Sequence, residues 1–311
     1  MLKVQFTYRT IRLAREGRLL PWLGPAFRGL TGGRLKAFAC RHSVAEQLAR
    51  WTYCAGCPLM AGCQFGETFE PDPSPGIHIP LGQANTTRPI VFAPQYPLPE
   101  YVEAGFEFEL GIVLIGPTAS AHAVDVWESL RIGGADLGLG LGEDHIPFDV
   151  LPSRRVDESI RLELPLTPQS DEVVDTVAIE FTSPLYLTAN EGERRRPLFD
   201  PSFGDLVRAG LRVLGPLHKL YGQALPESVF SHVKQVAESV PVRSADLRIF
   251  EQPKWSHRTK ERYTMRGVVG RMTCGPVPAW IVPWLQWGGR LHVGTHRVAG
   301  AGGWRVEVNR D

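Results

Sequence analysis

Residues 288–308 of the chain read GGRLHVGTHRVAGAGGWRVEV, and six of these residues are glycines. Glycine lets a backbone approach a ligand closely, and successive N–H groups of such a segment can form a concave nest for phosphate oxygens. Arginine and histidine side chains beside the glycines add positive charge. The segment therefore predicts a loop that binds phosphate. Its candidate contacts are Arg290, His292, Gly294, His296, Arg297, Gly300 and Gly302.

Two common phosphate-binding patterns do not describe this segment. It lacks the Gly-Lys-Ser or Gly-Lys-Thr of a Walker A loop, and its glycines follow a basic stretch late in the chain instead of opening a βαβ unit. A glycine-rich hairpin that serves close packing would have the same composition. The residues alone leave both interpretations open.

Positive charge is concentrated at the two ends of the chain, although the formal net charge is only +1. Residues 1–50 carry a balance of +8 and residues 241–311 one of +7, whereas residues 51–240 carry −14. Both ends are also rich in arginine, glycine and aromatic residues, as nucleic-acid-binding surfaces are. This segregation favours a polyanionic ligand, and a mosaic of solvated surface charge is the alternative.

Two short runs hold the densest positive charge. In residues 254–266 the cations alternate with Trp255 and Tyr263, which suits an RNA-binding hairpin because cations contact phosphates and rings receive unstacked bases. Plain solvated surface is the alternative for both runs. The candidate RNA-binding residues of the two runs are Arg194, Arg195, Arg196, Lys254, Trp255, His257, Arg258, Lys260, Arg262 and Arg266.

The composition is that of a globular protein, with 43% hydrophobic and 22% charged residues. The first residues have no apolar core behind a basic head, so they do not resemble a signal peptide. The longest apolar stretches are too short to cross a membrane. We therefore expect a cytoplasmic protein without a membrane partner.

The first half of the chain has the element order of a ferredoxin-like domain. Alternation of apolar and polar residues over residues 2–10 predicts a strand. An apolar stripe over residues 25–51 predicts a helix, or two helices separated at Gly32 and Gly33. With the segments that follow, the order is strand, helix, strand, strand, helix, strand, which is the split βαβ pattern.

The second half repeats this order without a visible sequence repeat. An amphipathic helix is predicted over residues 203–221, and a closing strand over residues 304–308. The sequence thus predicts an α+β chain of two tandem ferredoxin-like (RRM-like, βαββαβ) domains with insertions. The N-terminal domain, with a cysteine-rich insertion, is predicted over residues 1–170, and the C-terminal domain over residues 171–311.

Four of the five cysteines lie close together in the sequence, at Cys40, Cys54, Cys57 and Cys63. Cys54 and Cys57 have the Cys-x-x-Cys spacing that zinc sites favour, so these four residues are a candidate structural zinc site. Small buried hydrophobic residues are the alternative, since free cysteine is often buried. The odd number of cysteines suits a reducing compartment, and Cys274 is expected in the core.

The C-terminal motifs resemble those of a known family. The stretch RYTMRGVVGRM, residues 262–272, is followed by a Trp-rich helix and then by LHVGTHRVAGAGGW, residues 291–304. This arrangement is similar to the C-terminal signature of the CRISPR precursor-RNA processing endoribonucleases of the RAMP superfamily. Upstream, further segments resemble this family in the same order: residues 24–35, 54–71, 108–116 and 133–142.

The resemblance implies two tandem ferredoxin-like domains, of which the C-terminal one is a RAMP domain with a glycine-rich loop. It also implies cleavage of CRISPR repeat RNA without a metal ion, through attack of a ribose 2′-OH that leaves a 2′,3′-cyclic phosphate. No cofactor is then required for catalysis. The implied partners are a CRISPR repeat RNA hairpin, the mature crRNA and other CRISPR effector subunits.

The resemblance also suggests catalytic residues. His42 falls near the end of the first helix, where the family often places its catalytic histidine. Because some members rely on arginine or lysine instead, the reserve candidates are Arg28, Arg34, Lys36 and Arg41.

One position departs from the family pattern. The family loop usually has a lysine after His-Val-Gly, whereas this chain has Thr295. Either the cation has moved to Arg297 or the loop binds RNA without assisting the chemistry. A non-catalytic RAMP subunit that binds CRISPR RNA in an effector complex is therefore one alternative, and a zinc-stabilised protein adaptor is another.

Overall fold

The computed structural model describes residues 1–42, 54, 57–71, 88–140, 145–168, 171–191, 194–256 and 261–309. The chain divides into two compact units. Leu2–Arg161 form an N-terminal unit, and Leu162–Asp311 form a C-terminal unit together with Met1. The division lies slightly before the limit of 170 predicted from the sequence.

The N-terminal unit is built around a sheet in which β3, β5, β1 and β6 are neighbours in that order, all antiparallel, with β7 also pairing with β1. Numbered along the chain, the four main strands have the order second, third, first, fourth. Its elements are β1 Leu2–Leu13, β2 Gly17–Arg18, α1 Gly24–Ala39, α2 Gln64–Phe69, β3 Ile90–Pro94, β4 Tyr101–Val102, β5 Glu107–Ile115, α3 Gly116–Ala121, α4 Ala123–Asp136, β6 Phe148–Pro152 and β7 Glu158–Leu162.

Helices α1 and α4 pack against each other, and α4 also contacts β6. Glycines make this close approach feasible. A Cβ on Gly134 would lie 2.4 Å from the ring of Phe148, and one on Gly133 would lie 3.4 Å from the Arg34 side chain. Helix α4 continues through Gly133 and Gly134 to Asp136, because these glycines face packed neighbours.

The first helix is a single helix, which is one of the two predicted arrangements. It runs unbroken through Gly32 and Gly33, and it ends at Ala39. Gly32 is fully packed, since a Cβ there would lie 3.0 Å from the ring of Phe69. Packing thus offsets the cost of about 1 kcal/mol that glycine carries inside a helix. The predicted continuation over residues 43–51 lies outside the described residues.

The C-terminal unit has an antiparallel sheet in which β12, β13, β9 and β15 are neighbours in that order. Its main strands therefore repeat the order second, third, first, fourth. Its elements are β8 Val173–Val174, β9 Thr176–Phe181, β10 Leu187–Glu191, β11 Arg194–Leu198, α5 Phe203–Tyr221, α6 Glu227–Glu238, β12 Val242–Ser256, β13 Glu261–Cys274, β14 Val277–Pro278, α7 Val282–Arg290 and β15 Trp304–Asn309, with 3₁₀ helices at Ala279–Ile281 and Arg297–Ala299.

Helix α5 has the bounds predicted from its apolar stripe. Ser202 caps its N terminus in a capping box with Asp205, in which each residue's side chain bonds the other's backbone N–H. Gly210 of this helix approaches Gly288 of α7 so closely that a Cβ would lie 3.4 Å from the Gly288 backbone. Both units therefore have the βαββαβ order and strand arrangement of the ferredoxin-like fold, as the sequence predicted.

Strands β12 and β13 form a hairpin that is much longer than the rest of the sheet. They pair from Val242 and Cys274 to Ser256 and Glu261, but β13 pairs with β9 only over Arg271–Cys274. The exposed part of β12 carries polar residues on both faces, so the sequence shows no apolar alternation that would indicate the full length of this strand.

Candidate nucleic-acid interface

The glycine-rich loop folds back on residues 184–186 of the same unit. The N–H of Thr295 donates to the carbonyl of Tyr186, and the N–H of Gly302 donates to the carbonyl of Pro184. The N–H of Val293 donates to Gly302. These N–H groups are engaged within the protein, so they do not form an open nest for phosphate in this conformation.

Two of the loop glycines are required by close contacts. Gly294 has a φ of 77°, and a Cβ there would lie 2.4 Å from the Tyr186 carbonyl oxygen. Gly302 has a φ of 72°, and its Cβ would lie 2.1 Å from the Val293 carbonyl oxygen. Both positions combine a left-handed backbone with no room for a side chain, and the packing interpretation of the glycines explains both.

Arg297 is buried, with 1% of its surface exposed, and its Nε donates to the carbonyl of Leu291 at 2.9 Å. Burial lowers the pKa of Arg297 to about 9, while the nearby Tyr221 phenol opposes this shift. Burial likewise raises the pKa of Tyr221. Arg297, which was predicted to contact RNA, therefore binds the backbone of its own loop, and its side chain does not reach the surface.

His292 lies in the same buried cluster and is 7% exposed. Burial, assisted by the charge of Arg297, lowers the pKa of His292 to about 4, so the imidazole is neutral at neutral pH. The ring occupies the space beside Gly303, where a Cβ would lie 2.6 Å from the His292 Cε1. Its burial likewise separates its side chain from any RNA at the surface.

Two polar side chains of the loop reach the surface: Thr295 is exposed and His296 is partly buried. His296 has a φ of 66°, which is uncommon for a residue with a side chain. Its ring meets the ring of Tyr186 edge-on, with centroids 5.4 Å apart. It also lies nearly parallel to the ring of Tyr263 on β13, at 24° and 6.5 Å. The loop and the long hairpin therefore meet at His296.

The hairpin carries cations and an aromatic ring at its far end. Lys254 is the direct cross-strand partner of Tyr263, and its Nζ lies 5.9 Å from the centre of that ring. Arg262 and Arg266 are exposed, and Arg266 pairs with Glu251 at 2.9 Å. Of the other RNA-binding candidates nearby, His257, Arg258 and Lys260 lie outside the described residues, as does the side chain of Trp255.

The remaining RNA-binding candidates lie elsewhere in the C-terminal unit. Arg194, Arg195 and Arg196 belong to β11, and Arg196 is exposed, whereas the side chains of the first two are outside the description. Arg290 ends α7 with its guanidinium 4.9 Å from the centre of the Trp287 ring. RNA binding by these residues stays a prediction.

The catalytic candidates cluster on α1 and just after it, in the N-terminal unit. His42 is partly buried, and its Nε2 lies 3.2 Å from the Cys57 sulfur. Arg34 pairs with Asp136 at 2.8 Å. Lys36 holds its Nζ 5.6 Å from the centre of the Phe65 ring. Arg28 is partly exposed and Arg41 is exposed.

The four cysteines predicted to bind zinc are all partly exposed. Cys57 donates its N–H to the Cys54 carbonyl, and Cys63 caps α2 with its sulfur 3.5 Å from the Gly66 nitrogen. Burial raises the pKa of Cys54 to about 11. Among the described residues, no group of three or more His, Cys, Asp or Glu side chains is placed to hold a metal ion. Zinc binding by the four cysteines stays a prediction. Cys274 is buried in the sheet, as predicted.

One polar cluster was not found from the sequence. His122 Nε2 lies 2.7 Å from a carboxylate oxygen of Glu67, and its Nδ1 lies 3.5 Å from Asp125. Glu67 also accepts the N–H of Gly62. The cluster fastens α2, which follows the cysteines, to the start of α4. Tyr186 was also missed, since its apolar sequence context predicts only a core residue.

No helix among the described residues is long and apolar enough to span a membrane. Two family models match the chain. The AF_1859_N family, described as an N-terminal domain, matches residues 2–172, and the family described as CRISPR-associated endoribonuclease Cas6 matches residues 179–304. A search among curated protein sequences finds no match.

Solved structures with the same fold include the product complex of Cas6 (TTHB231) of Thermus thermophilus. It is 15% identical, covers 97% of this chain and 100% of that chain, and has a TM-score of 0.53. A partial Cas6-RT-Cas1–Cas2 complex is 10% identical, covers 99% of this chain and 46% of that chain, and has a TM-score of 0.55. Because the AF_1859_N model matches more than half of the chain, the chain belongs to that family, and its C-terminal unit is similar to the CRISPR-associated endoribonuclease Cas6 over residues 179–304.

Proposed function

We propose that this protein cleaves CRISPR repeat RNA within the precursor transcript and stays bound to the mature crRNA. The observation that supports this most is the match of residues 179–304 to the Cas6 endoribonuclease model, since these residues contain the glycine-rich loop and the long hairpin. The basic balance of residues 241–311 suits a phosphodiester chain.

The proposed reaction is an internal transfer that requires no metal ion. A base removes the proton from a ribose 2′-OH, the 2′-oxygen forms a bond to the adjacent phosphorus, and the bond to the 5′-oxygen breaks. The leaving 5′-oxygen takes up a proton. The products are a 2′,3′-cyclic phosphate and a 5′-OH, and cationic groups near the non-bridging oxygens stabilise the charge that develops.

His42 is the proposed base. It follows α1 closely, and histidine is the side chain that most often acts as a general acid or base. Its Nε2 lies 3.2 Å from the Cys57 sulfur in the described conformation. Arg41 and Arg28, which are at least partly exposed, are the proposed cations. Arg34 and Lys36 are less suited to act as these cations, because Arg34 pairs with Asp136 and Lys36 packs over Phe65.

The proposed partners follow from what the similar structures contain. The Cas6 (TTHB231) structure is a product complex, and the larger assemblies join Cas6 to reverse transcriptase, Cas1 and Cas2. By analogy we propose a repeat RNA hairpin, the crRNA and other CRISPR proteins as partners of this chain.

A non-cleaving RAMP subunit is the second candidate. The observations that favour it are Thr295 in place of the family's loop lysine and the burial of Arg297, which leave the loop without an exposed cation of its own between residues 291 and 303. Such a subunit would bind the same RNA as a scaffold.

One experiment separates the two. Purified protein is incubated with a repeat RNA in EDTA, and the products are examined for a 2′,3′-cyclic phosphate. Cleavage with this end group supports the endoribonuclease. Binding without cleavage, with or without added divalent ions, supports the scaffold. Cleavage only in the presence of divalent ions would contradict the metal-independent mechanism, and absence of binding would contradict both candidates.

A further inference from the structure

We propose that Tyr263, His296 and Lys254 form a stacking site for one unpaired nucleobase, with Lys254 placed to contact the adjoining phosphate. The inference rests on the proposed RNA-binding function and deepens it. It specifies a single-stranded nucleotide as the ligand of the surface where the glycine-rich loop meets the long hairpin.

Two rings form the platform. Tyr263 is 41% exposed although it is a large aromatic residue, and the His296 ring lies nearly parallel to it. Near-parallel aromatic planes that reach solvent are the surfaces on which proteins stack bases of single-stranded RNA. A base pair inside a helix offers no such face, because its own neighbours cover it. An unpaired base is therefore the ligand that fits.

The position of His296 is set by groups behind it. A backbone in the left-handed region is unfavourable for histidine, and residues held in this way often serve a site. Tyr186, which is 4% exposed, supports the His296 ring edge-on. Tyr186 in turn needs Gly267, where a Cβ would lie 2.8 Å from the Tyr186 ring. Tyr186 and Gly267 are thus positioning residues for the platform.

Lys254 completes the site. It lies directly opposite Tyr263 in the hairpin, and its ammonium group is 5.9 Å from the centre of the ring. This ammonium group lies over the Tyr263 ring, and single-strand binding sites combine cations that contact phosphates with rings that stack bases. Aromatic and cationic groups are thereby combined on one face of the hairpin.

The test uses a repeat RNA with deoxyribose at the cleavage site, so that binding is measured without cleavage. Tyr263→Leu should weaken RNA binding by about 5- to 150-fold, the usual range for loss of one stacked base, whereas Tyr263→Phe should weaken it less than twofold. His296→Asn, in which asparagine tolerates the left-handed backbone, should also weaken binding at least several-fold. Tyr101→Leu is the control, because Tyr101 is an exposed tyrosine in the N-terminal unit.

A scan with abasic nucleotides then identifies the base. In the native protein, one abasic position in an unpaired segment should weaken binding as much as Tyr263→Leu does, and the two changes together should weaken it no further. The proposal would be overturned if the affinity losses from the abasic nucleotide and from Tyr263→Leu multiplied at every position. Equal affinity losses for Tyr263→Leu and Tyr101→Leu would also overturn it. If the native protein binds this RNA but does not cleave the same repeat RNA with ribose at every position, the cleavage proposal fails. The stacking site is tested separately, by the binding of the Tyr263 and His296 variants.

Discussion

The imidazole Nε2 of His42 and the sulfur of Cys57 lie 3.2 Å apart, so the favoured catalytic residue is in contact with the cysteine-rich segment. The contact makes two roles of His42 distinguishable by experiment. A general base is needed for the reaction whether or not Cys57 is present. A structural partner of the cysteines is needed for the local fold, and both residues then matter equally.

We expect His42→Ala to slow single-turnover cleavage of repeat RNA by about 10²- to 10⁴-fold, because general bases contribute by this factor. RNA affinity should stay within about threefold of the native value, since the variant removes a group that acts on one proton. The rate under saturating protein and the affinity are measured separately.

Cys57→Ala is the matched variant. It should leave the cleavage rate within about tenfold and slightly raise it if the contact with Cys57 restrains the base. His42 would be a structural residue if His42→Ala lowered the cleavage rate by less than tenfold. The same conclusion would follow if both variants lowered the rate equally and also lowered the unfolding temperature. The general base would then be another group.

The sequence predicts some elements of this protein well because their signals are local. The apolar stripe of Phe203–Tyr221 and its Ser202 cap give the helix its bounds directly. The element order alone indicates both ferredoxin-like units. The sequence left open whether the first helix breaks at Gly32, because the packing of Gly32 against Phe69 involves a distant part of the chain.

The structure of the glycine-rich loop could be predicted even less, because it depends on contacts that the sequence does not show. Its glycines are visible in the sequence, but the burial of Arg297 is not, since arginine is rarely buried completely. The bond from Arg297 to the Leu291 carbonyl depends on how the loop folds over Tyr221 and His292. Composition indicates the charge of a segment, whereas the direction of each side chain depends on tertiary packing.

Arg297→Met should leave the salt dependence of RNA binding unchanged, because a buried guanidinium releases no counterion from RNA. Arg262→Met, at an exposed hairpin arginine, should lower the slope of log affinity against log salt concentration by about 0.7 to 0.9 if Arg262 contacts one phosphate. Affinities at four or five salt concentrations test both. A reduced slope for Arg297→Met would show that the loop opens when RNA binds.

Gly302→Ala should destabilise the C-terminal unit by clearly more than Gly105→Ala destabilises the N-terminal one. Both glycines have positive φ, at 72° and 83°, so each alanine carries a backbone penalty of about 1–2 kcal/mol. Only the Cβ on Gly302 meets a close atom, the Val293 carbonyl oxygen, whereas nothing lies within 4 Å of one on Gly105. Denaturant unfolding gives both free energies, and equal values would contradict the close packing of the loop.

The cysteine spacing predicts about one zinc ion per chain in protein purified without chelators. Cys57→Ser and Cys63→Ser should each lose the metal, whereas Cys274→Ala should retain it, since Cys274 is buried in the other unit. Elemental analysis of the purified variants measures the content. Zinc at background level in the native protein would contradict this prediction and leave the cysteines as packing residues.

The pH dependence of stability should reveal the buried imidazole of His292. Its pKa is lowered to about 4 in the folded protein and is near 6.5 when unfolded, so the unfolded chain binds more protons between these values. The free energy of unfolding therefore rises between about pH 4 and pH 6.5 and stays level above pH 6.5. The His292 imidazole contributes about 3 kcal/mol to this rise. His292→Asn is the matched variant, because asparagine tolerates the φ of 58° at this position without a titrating ring. The variant should lose most of the rise between pH 4 and 6.5 in urea unfolding, and an unchanged rise would assign the effect to other groups, such as His218, whose pKa is also lowered by burial.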